Sequence, residues 1–178
     1  MTAVDDLFAQ LTQLRSQQSY PPVHLWHPEH EGSIDIRIDA DGTWYHEGGR
    51  IARHALVKLF SGILRKDADG YCLVTPVERL SIVVEDVPFI AIDAEQGEGP
   101  QGPELIFTTN VGDYVTADAE HPIWIAGDDQ QPRPYVMVRD NLAALISRPL
   151  YYRLVEACSE DADGFFIASR GSRFPLTH

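Results

Sequence analysis

The chain has 178 residues, of which 44% are hydrophobic, 27 are acidic and 14 basic, giving a net charge of -13 with histidines neutral. That is enough apolar material for one ordinary core or two small ones, and the acidic balance excludes the basic footprint of a nucleic-acid binder. No run approaches the ~18 apolar residues of a membrane span, Met1 to Asp6 lacks the pattern of a signal peptide, and two cysteines, Cys72 and Cys158, cannot build a disulfide framework. The expectation is a cytoplasmic protein with neither nucleic-acid nor membrane partners.

Leu7, Phe8, Leu11 and Leu14 recur at helical spacing behind Asp5 and Asp6, and Pro21-Pro22 stop the pattern, which predicts an N-terminal helix over residues 1–20. Ile34, Ile36 and Ile38 alternate with Asp35, Arg37 and Asp39, the period of a half-buried strand, and a second strand is predicted from Thr43 to Glu47. From about Arg53 to Arg65, Ala55, Leu56, Leu59, Phe60, Ile63 and Leu64 keep helical spacing. Strands are predicted over 80–85, 87–92, 104–108 and 114–117, with 96–102 a Gly/Pro-rich loop and 110–113 a turn. Two more, over 123–125 and 135–138, precede a second helix whose N-cap and first turn suit Ser147 and Pro149.

Asp-Ala-Asp-Gly occurs three times, at 39–42, 67–70 and 161–164. A calcium loop needs a bidentate Glu six residues after the Gly. Gly48, Pro76 and Arg170 stand there, so the tetrapeptide reads as a turn. Around the second and third copies, Ile51-Ala52-Arg53 matches Ile146-Ser147-Arg148 and Lys58-Leu59-Phe60 matches Arg153-Leu154-Val155. This points to a duplicated helix–turn–strand unit. The expected fold is α+β: two small repeated helix-plus-antiparallel-strand halves joined by a strand-rich connector and preceded by the N-terminal helix. Residues 21–86 form the first half, and 87–178 form the second half with the connector. Between Glu85 and Asp129 stand eleven acidic residues and no lysine or arginine, either a solvated face or a strip that steers a basic protein partner.

Arg53 and Arg148 each open a predicted helix, where the helix dipole disfavours a cation. Each is read either as tied to a carboxylate of the protein, such as Asp35 or Glu78, or as a clamp for a ligand's carboxylate. With His24, Trp26, Arg37 and Trp44 they make up the ligand-binding candidates. His24, His27 and His30, with His46 as a fourth, are of the right type to hold zinc from an extended loop, since Pro21, Pro22 and Pro28 exclude a helix there. There is no Gly-x-Ser-x-Gly elbow and no phosphate-binding glycine loop, and Cys72 and Cys158 read as small core residues. No catalytic residue and no cofactor are assigned.

Several motifs resemble one family as a set. They are Pro22-Val23-His24-Leu25-Trp26, Ile34 to Ile38 with Asp41-Gly42-Thr43-Trp44, Ile51-x-Arg53, Leu73 to Glu78, Val84 to Phe89, Glu120-His121-Pro122 and Pro132 to Val136. Together they look like the bacterial DUF1285 family, over nearly the whole chain from Pro21 to Leu176. The resemblance implies a two-part α+β fold of repeated motifs and a role in ligand sensing or signal transduction, and it supplies no catalytic residues. The expected function is non-enzymatic binding of a small ligand or a protein partner. The alternative is a metal-assisted hydrolase working through His24, His27, His30 or His46.

Overall fold

Alternation, not helical period, governs most of this chain. A computed structural model describes residues 20–176, and Val4. The helix expected over 1–20 falls almost wholly outside the described residues. The chain divides into two units at Asp86/Val87.

In the first unit, β1 (His30–Ile38) buries Ile34, Ile36 and Ile38 on one face, as its period-2 pattern requires. β2 (Trp44–His46) and β3 (Gly49–Arg50) follow, then α1 (His54–Ser61), then β4 (Leu64–Asp67), β5 (Gly70–Val74) and β6 (Glu78–Val84). They form one sheet in the order β3-β2-β1-β6-β5-β4, with β1 and β6 parallel and every other pair antiparallel. Trp44 and Phe60, 1% and 0% exposed with ring centroids 6.3 Å apart, bring α1 onto the core side of the sheet.

The second unit contains β7 (Phe89–Gly99), β8 (Gly102–Thr109), β9 (Tyr114–Thr116), β10 (Ile123–Gly127), β11 (Pro132–Arg139) and β12 (Leu142–Ile146). Their order is β10-β11-β12-β7-β8-β9, again with one parallel pair, β12 with β7, at the centre. α2 (Arg148–Glu156) and a three-stranded sheet of β13 (Ser159–Asp161), β14 (Gly164–Ser169) and β15 (Ser172–Pro175) complete it.

These observations overturn the α+β expectation. The described residues are 53% strand and 13% helix. They fall into five successive three-stranded antiparallel meanders, and the helices precede only the second and the fifth. The structure is mainly β, and its organising unit is the meander rather than a helix-plus-strand half. The physical reason is visible at α1. Gly62 caps the helix after eight residues, and Ile63 and Leu64, 0% and 1% exposed, enter β4 instead of another helical turn. β4 must be extended because Asp67 and Gly70 close a two-residue hairpin loop, with Gly70 at φ +129°.

The third Asp-Ala-Asp-Gly makes the same hairpin, from Asp161 to Gly164. The first makes a longer turn, in which Asp39 N–H donates to Thr43 O and Gly42 N–H to Asp39 O. In both two-residue hairpins the first Asp pairs with an arginine on the last strand of its meander: Asp67 with Arg79 and Asp161 with Arg173.

The fifth meander is tied down by Ser169. Its buried hydroxyl donates to Ala117 O at 2.7 Å and accepts from Leu105 N–H at 2.9 Å. Arg170 adds N–H to Pro103 O, and its guanidinium reaches Glu104 and Asp118. Ser169→Ala removes the partner of two buried backbone groups and is expected to cost about 2 kcal/mol, read as a lower urea midpoint. An unchanged midpoint would show that water replaces the hydroxyl.

Candidate functional site

A cavity of about 530 Å³ opens in the second unit. Its walls come from three places: Gln130 and Gln131 in the β10–β11 turn, Pro132, Arg133 and Pro134 at the start of β11, and Leu145, Ile146, Arg148, Tyr151 and Tyr152 from the end of β12 into α2. Arg148, Tyr151 and Tyr152 stand three and four residues apart, so the first turns of α2 present them on one side. Ser147 takes the N-cap position and Pro149 the first turn, as their residue types suggest, although the Ser147 hydroxyl makes no capping bond.

The turn is held from within. Asp128 Oδ1 accepts from Gln130 N–H at 2.9 Å and from Gln131 N–H at 2.8 Å. Gly127, paired with Pro132 at the base of the turn, sits at φ +82°. Arg133 Nε donates to Tyr135 Oη at 2.9 Å, and Trp124 stacks on Tyr135 with centroids 5.5 Å apart. Burial pushes the Tyr151 phenol above its ordinary range, with the Cys158 thiol adding to the shift, so Tyr151 stays protonated.

Among the described residues no Asp or Glu lines this cavity, while Arg133 and Arg148 do. Seven other arginines find carboxylates: Arg37 with Glu85, Arg65 and Arg79 with Asp67, Arg139 with Asp113, Arg153 with Asp93, Arg170 with Glu104 and Arg173 with Asp161, whereas the exposed Arg50 on β3 pairs with none among the described residues. Arg148 is exposed and makes neither hydrogen bond nor ion pair among the described residues. This also changes the reading of the acidic strip. Glu85, Asp93, Glu104, Asp113 and Asp118 are met by Arg37, Arg153, Arg170 and Arg139, all of which lie outside the strip in sequence.

Of the six sequence candidates, only Arg148 lines the cavity. Arg37 donates to Glu85 at 2.7 Å and lies over the Tyr45 ring at 4.4 Å. Trp44 is a core residue whose buried Nε1 has no partner among the described residues. Arg53 is the exposed N-cap residue of α1, and its carbonyl accepts from Leu56 and Val57 N–H. His24 is exposed on a short 3-10 helix (Val23–Leu25), and Trp26 is half-buried beside it.

That segment is fixed by Arg65, whose Nη1 donates to Val23 O at 2.8 Å and Trp26 O at 2.7 Å. The same guanidinium holds Asp67 through two further bonds. Asp67 also accepts from Arg79 Nε at 2.7 Å, and Arg79 reaches Asp69 at 2.6 Å. Burial alone would raise the Asp67 carboxyl, but the hydrogen bonds and charges of Arg65 and Arg79 outweigh it and hold it below its ordinary value. Cys72 lies beneath this network. Burial first, and then the Asp67 charge, push its thiol up to about 11, so it stays protonated and inert.

The described residues give the zinc alternative no assembled site. Among the described residues no three His, Cys, Asp or Glu come together as a metal site. His24, His27 and His30 are exposed. His46 pairs with Ile36 in the β1–β2 register, six residues along β1 from His30, a separation of roughly 20 Å along an extended strand.

What sequence reading missed is the company Arg148 keeps. Arg133, Gln130 and Gln131 belong to a hairpin whose proximity to α2 has no local signature. The adjacent Tyr151 and Tyr152 beside Arg148 were the available hint.

Family models decide the relationship: the N-terminal domain of DUF1285, a domain of unknown function, matches residues 21–87, and the C-terminal domain matches residues 88–176. The chain belongs to the DUF1285 family. It is similar to the crystal structure of a DUF1285 family protein from Silicibacter pomeroyi DSS-3, with 44% identity, 94% of each chain covered and a TM-score of 0.84. A DUF1285 family protein from Shewanella baltica OS155 is 28% identical over 68% of this chain and 90% of that one, with a TM-score of 0.54. A search of the curated proteins finds no match. The Arg148 cavity lies wholly within the DUF1285 C-terminal domain. No helix among the described residues is long and apolar enough to cross a membrane.

Proposed function

We propose that this DUF1285 chain is a non-enzymatic binding protein that holds a small ligand in the cavity of its second unit. The carrying observation is the lining itself: among the described residues it is two arginines, two tyrosines, two glutamines and four apolar residues, with no Ser, Cys, His, Asp, Glu or Lys. Acid–base and nucleophilic catalysis need a group that gives or takes a proton near neutral pH or attacks as an anion. Arginine stays charged, and Tyr151 is pushed further from neutrality. A wall of this composition recognises its occupant and does not transform it. The volume falls in the range of small-molecule sites. Binding without turnover suits a sensing or signal-transduction role.

A chemically diverse fragment library, screened by amide chemical shifts on the full chain, tests the reading. Hits are expected to move residues 130–134 and 145–152 and to be recovered unchanged after incubation. Hits that move only other residues, or that are consumed, would sink it.

A further inference from the structure

The chemistry of the cavity goes further than its existence. Resting on that reading of the cavity, we infer that its ligand is a small organic anion carrying a flat ring: an aromatic carboxylate or phosphate monoester, with the anion on Arg148 and the ring against Tyr152.

The anion follows from charge bookkeeping within the fold. The chain has 27 acidic and 14 basic residues, so arginines find carboxylate partners readily. Seven of them do, several at 2.6 to 3.0 Å. Arg148 pairs with none of the described residues and lines a cavity to which they contribute no carboxylate. A guanidinium is a planar fork of donors matched to the two oxygens of a carboxylate or phosphate. Arg148 thus stands at this cavity as an exposed cation open to an anion from outside.

The ring follows from the other walls. Tyr151 and Tyr152 lie with ring centroids 6.4 Å apart, and Tyr152 remains 57% exposed at the cavity edge. Pro132, Pro134, Leu145 and Ile146 provide apolar surface on the sheet side. Flat apolar faces stack on tyrosine rings and proline edges, whereas an inorganic anion would leave them bare. Gln130 and Gln131, set by the Asp128 turn, supply neutral donors and acceptors for a polar substituent on the ring. A cationic ligand would meet the like charge of the exposed Arg148.

The test titrates the full chain with benzoate, phenyl phosphate and the neutral isostere benzamide, following amide shifts and heat. Both anions are expected to move residues 130–134 and 145–152, with phenyl phosphate the tighter and benzamide at least tenfold weaker. Arg148→Ala should weaken both anions about tenfold or more and leave benzamide unchanged, a loss of about 1.4 kcal/mol for each factor of ten. Arg148→Lys should recover only part, because an ammonium lacks the fork. Tyr152→Ala should weaken all three probes. If benzamide binds as tightly as benzoate, or Arg148→Ala is silent, the anion assignment is wrong while the cavity stands as a binding site. If no probe moves these residues yet the fragment library does, the ligand class is wrong and the binding reading survives. If neither moves them, both fall.

Discussion

Asp67→Asn will destabilise the first unit by about 3 kcal/mol at neutral pH. The carboxylate holds two guanidiniums at once, Arg65 at 2.8 and 3.0 Å and Arg79 at 2.7 Å, whose side chains are 15% and 9% exposed. An amide of the same shape removes the charge and keeps the volume, leaving two cations short of a partner. Asp69 retains Arg79 in part but is itself mostly exposed, so it compensates weakly. The loss also travels along the chain, because Arg65 fixes the carbonyls of Val23 and Trp26 only while its other edge is held. Faster amide exchange around residues 23–28 in the variant would report that loosening. Acid supplies a second readout. The folded pKa of Asp67 lies below its unfolded value, so its contribution is full above the unfolded carboxylate pKa and disappears as pH falls through the folded one. The gap between the parent and Asp67→Asn should therefore hold from neutral pH down to about pH 5 and narrow progressively below that. A gap that stays constant would mean that packing, not charge, supports the network.

Gly127→Ala is expected to cost about 3 kcal/mol and to abolish the binding proposed for the second unit. Two requirements meet at this residue. Its φ of +82° is one that L side chains rarely adopt, and a Cβ there would collide with the carbonyl oxygen of Gln131 and lie 3.4 Å from Arg133 N. Relief requires the β10–β11 turn to open, which moves Gln130, Gln131 and Arg133, three of the cavity's walls. Gly48→Ala separates the two requirements. Gly48 has φ +81° with nothing near the missing Cβ, so only the backbone strain should appear, about 1 kcal/mol. Equal losses at the two positions, with the amide shifts of 130–134 unmoved in Gly127→Ala, would refute the collision argument.

The strands that could be read from the sequence were those with one buried face. β1 and β8 alternate in sequence because they alternate in burial, whereas β6 alternates in sequence although its buried residues, Arg79 and Ile82, do not. β12 was hidden because it lies between β11 and β7, and Leu142, Ala143, Ala144 and Ile146 are all buried, which erases the period. β4 was hidden because Ile63 and Leu64 fit a third turn of α1 as well as a strand, and only the hairpin at Asp67 decides between them. The 96–102 segment looked like a loop from its glycines, yet β7 and β8 pair as far as Gly99 and Gly102. The site was legible in one residue, Arg148. Its companions arrive from a hairpin that precedes it in the chain, and the isolation of its charge is a property of three-dimensional pairing that no sequence window contains.

The five meanders have a kinetic consequence. Pairing within a meander closes over a short turn, and such closures carry little entropic cost. The parallel pairs β1–β6 and β7–β12 are different: each joins the first strand of one meander to the last strand of the next, across every strand between. They are also the central pairs of their sheets. The long loop closures in each sheet are thus concentrated in a single seam, and the speed with which each sheet assembles depends on how soon that seam is joined.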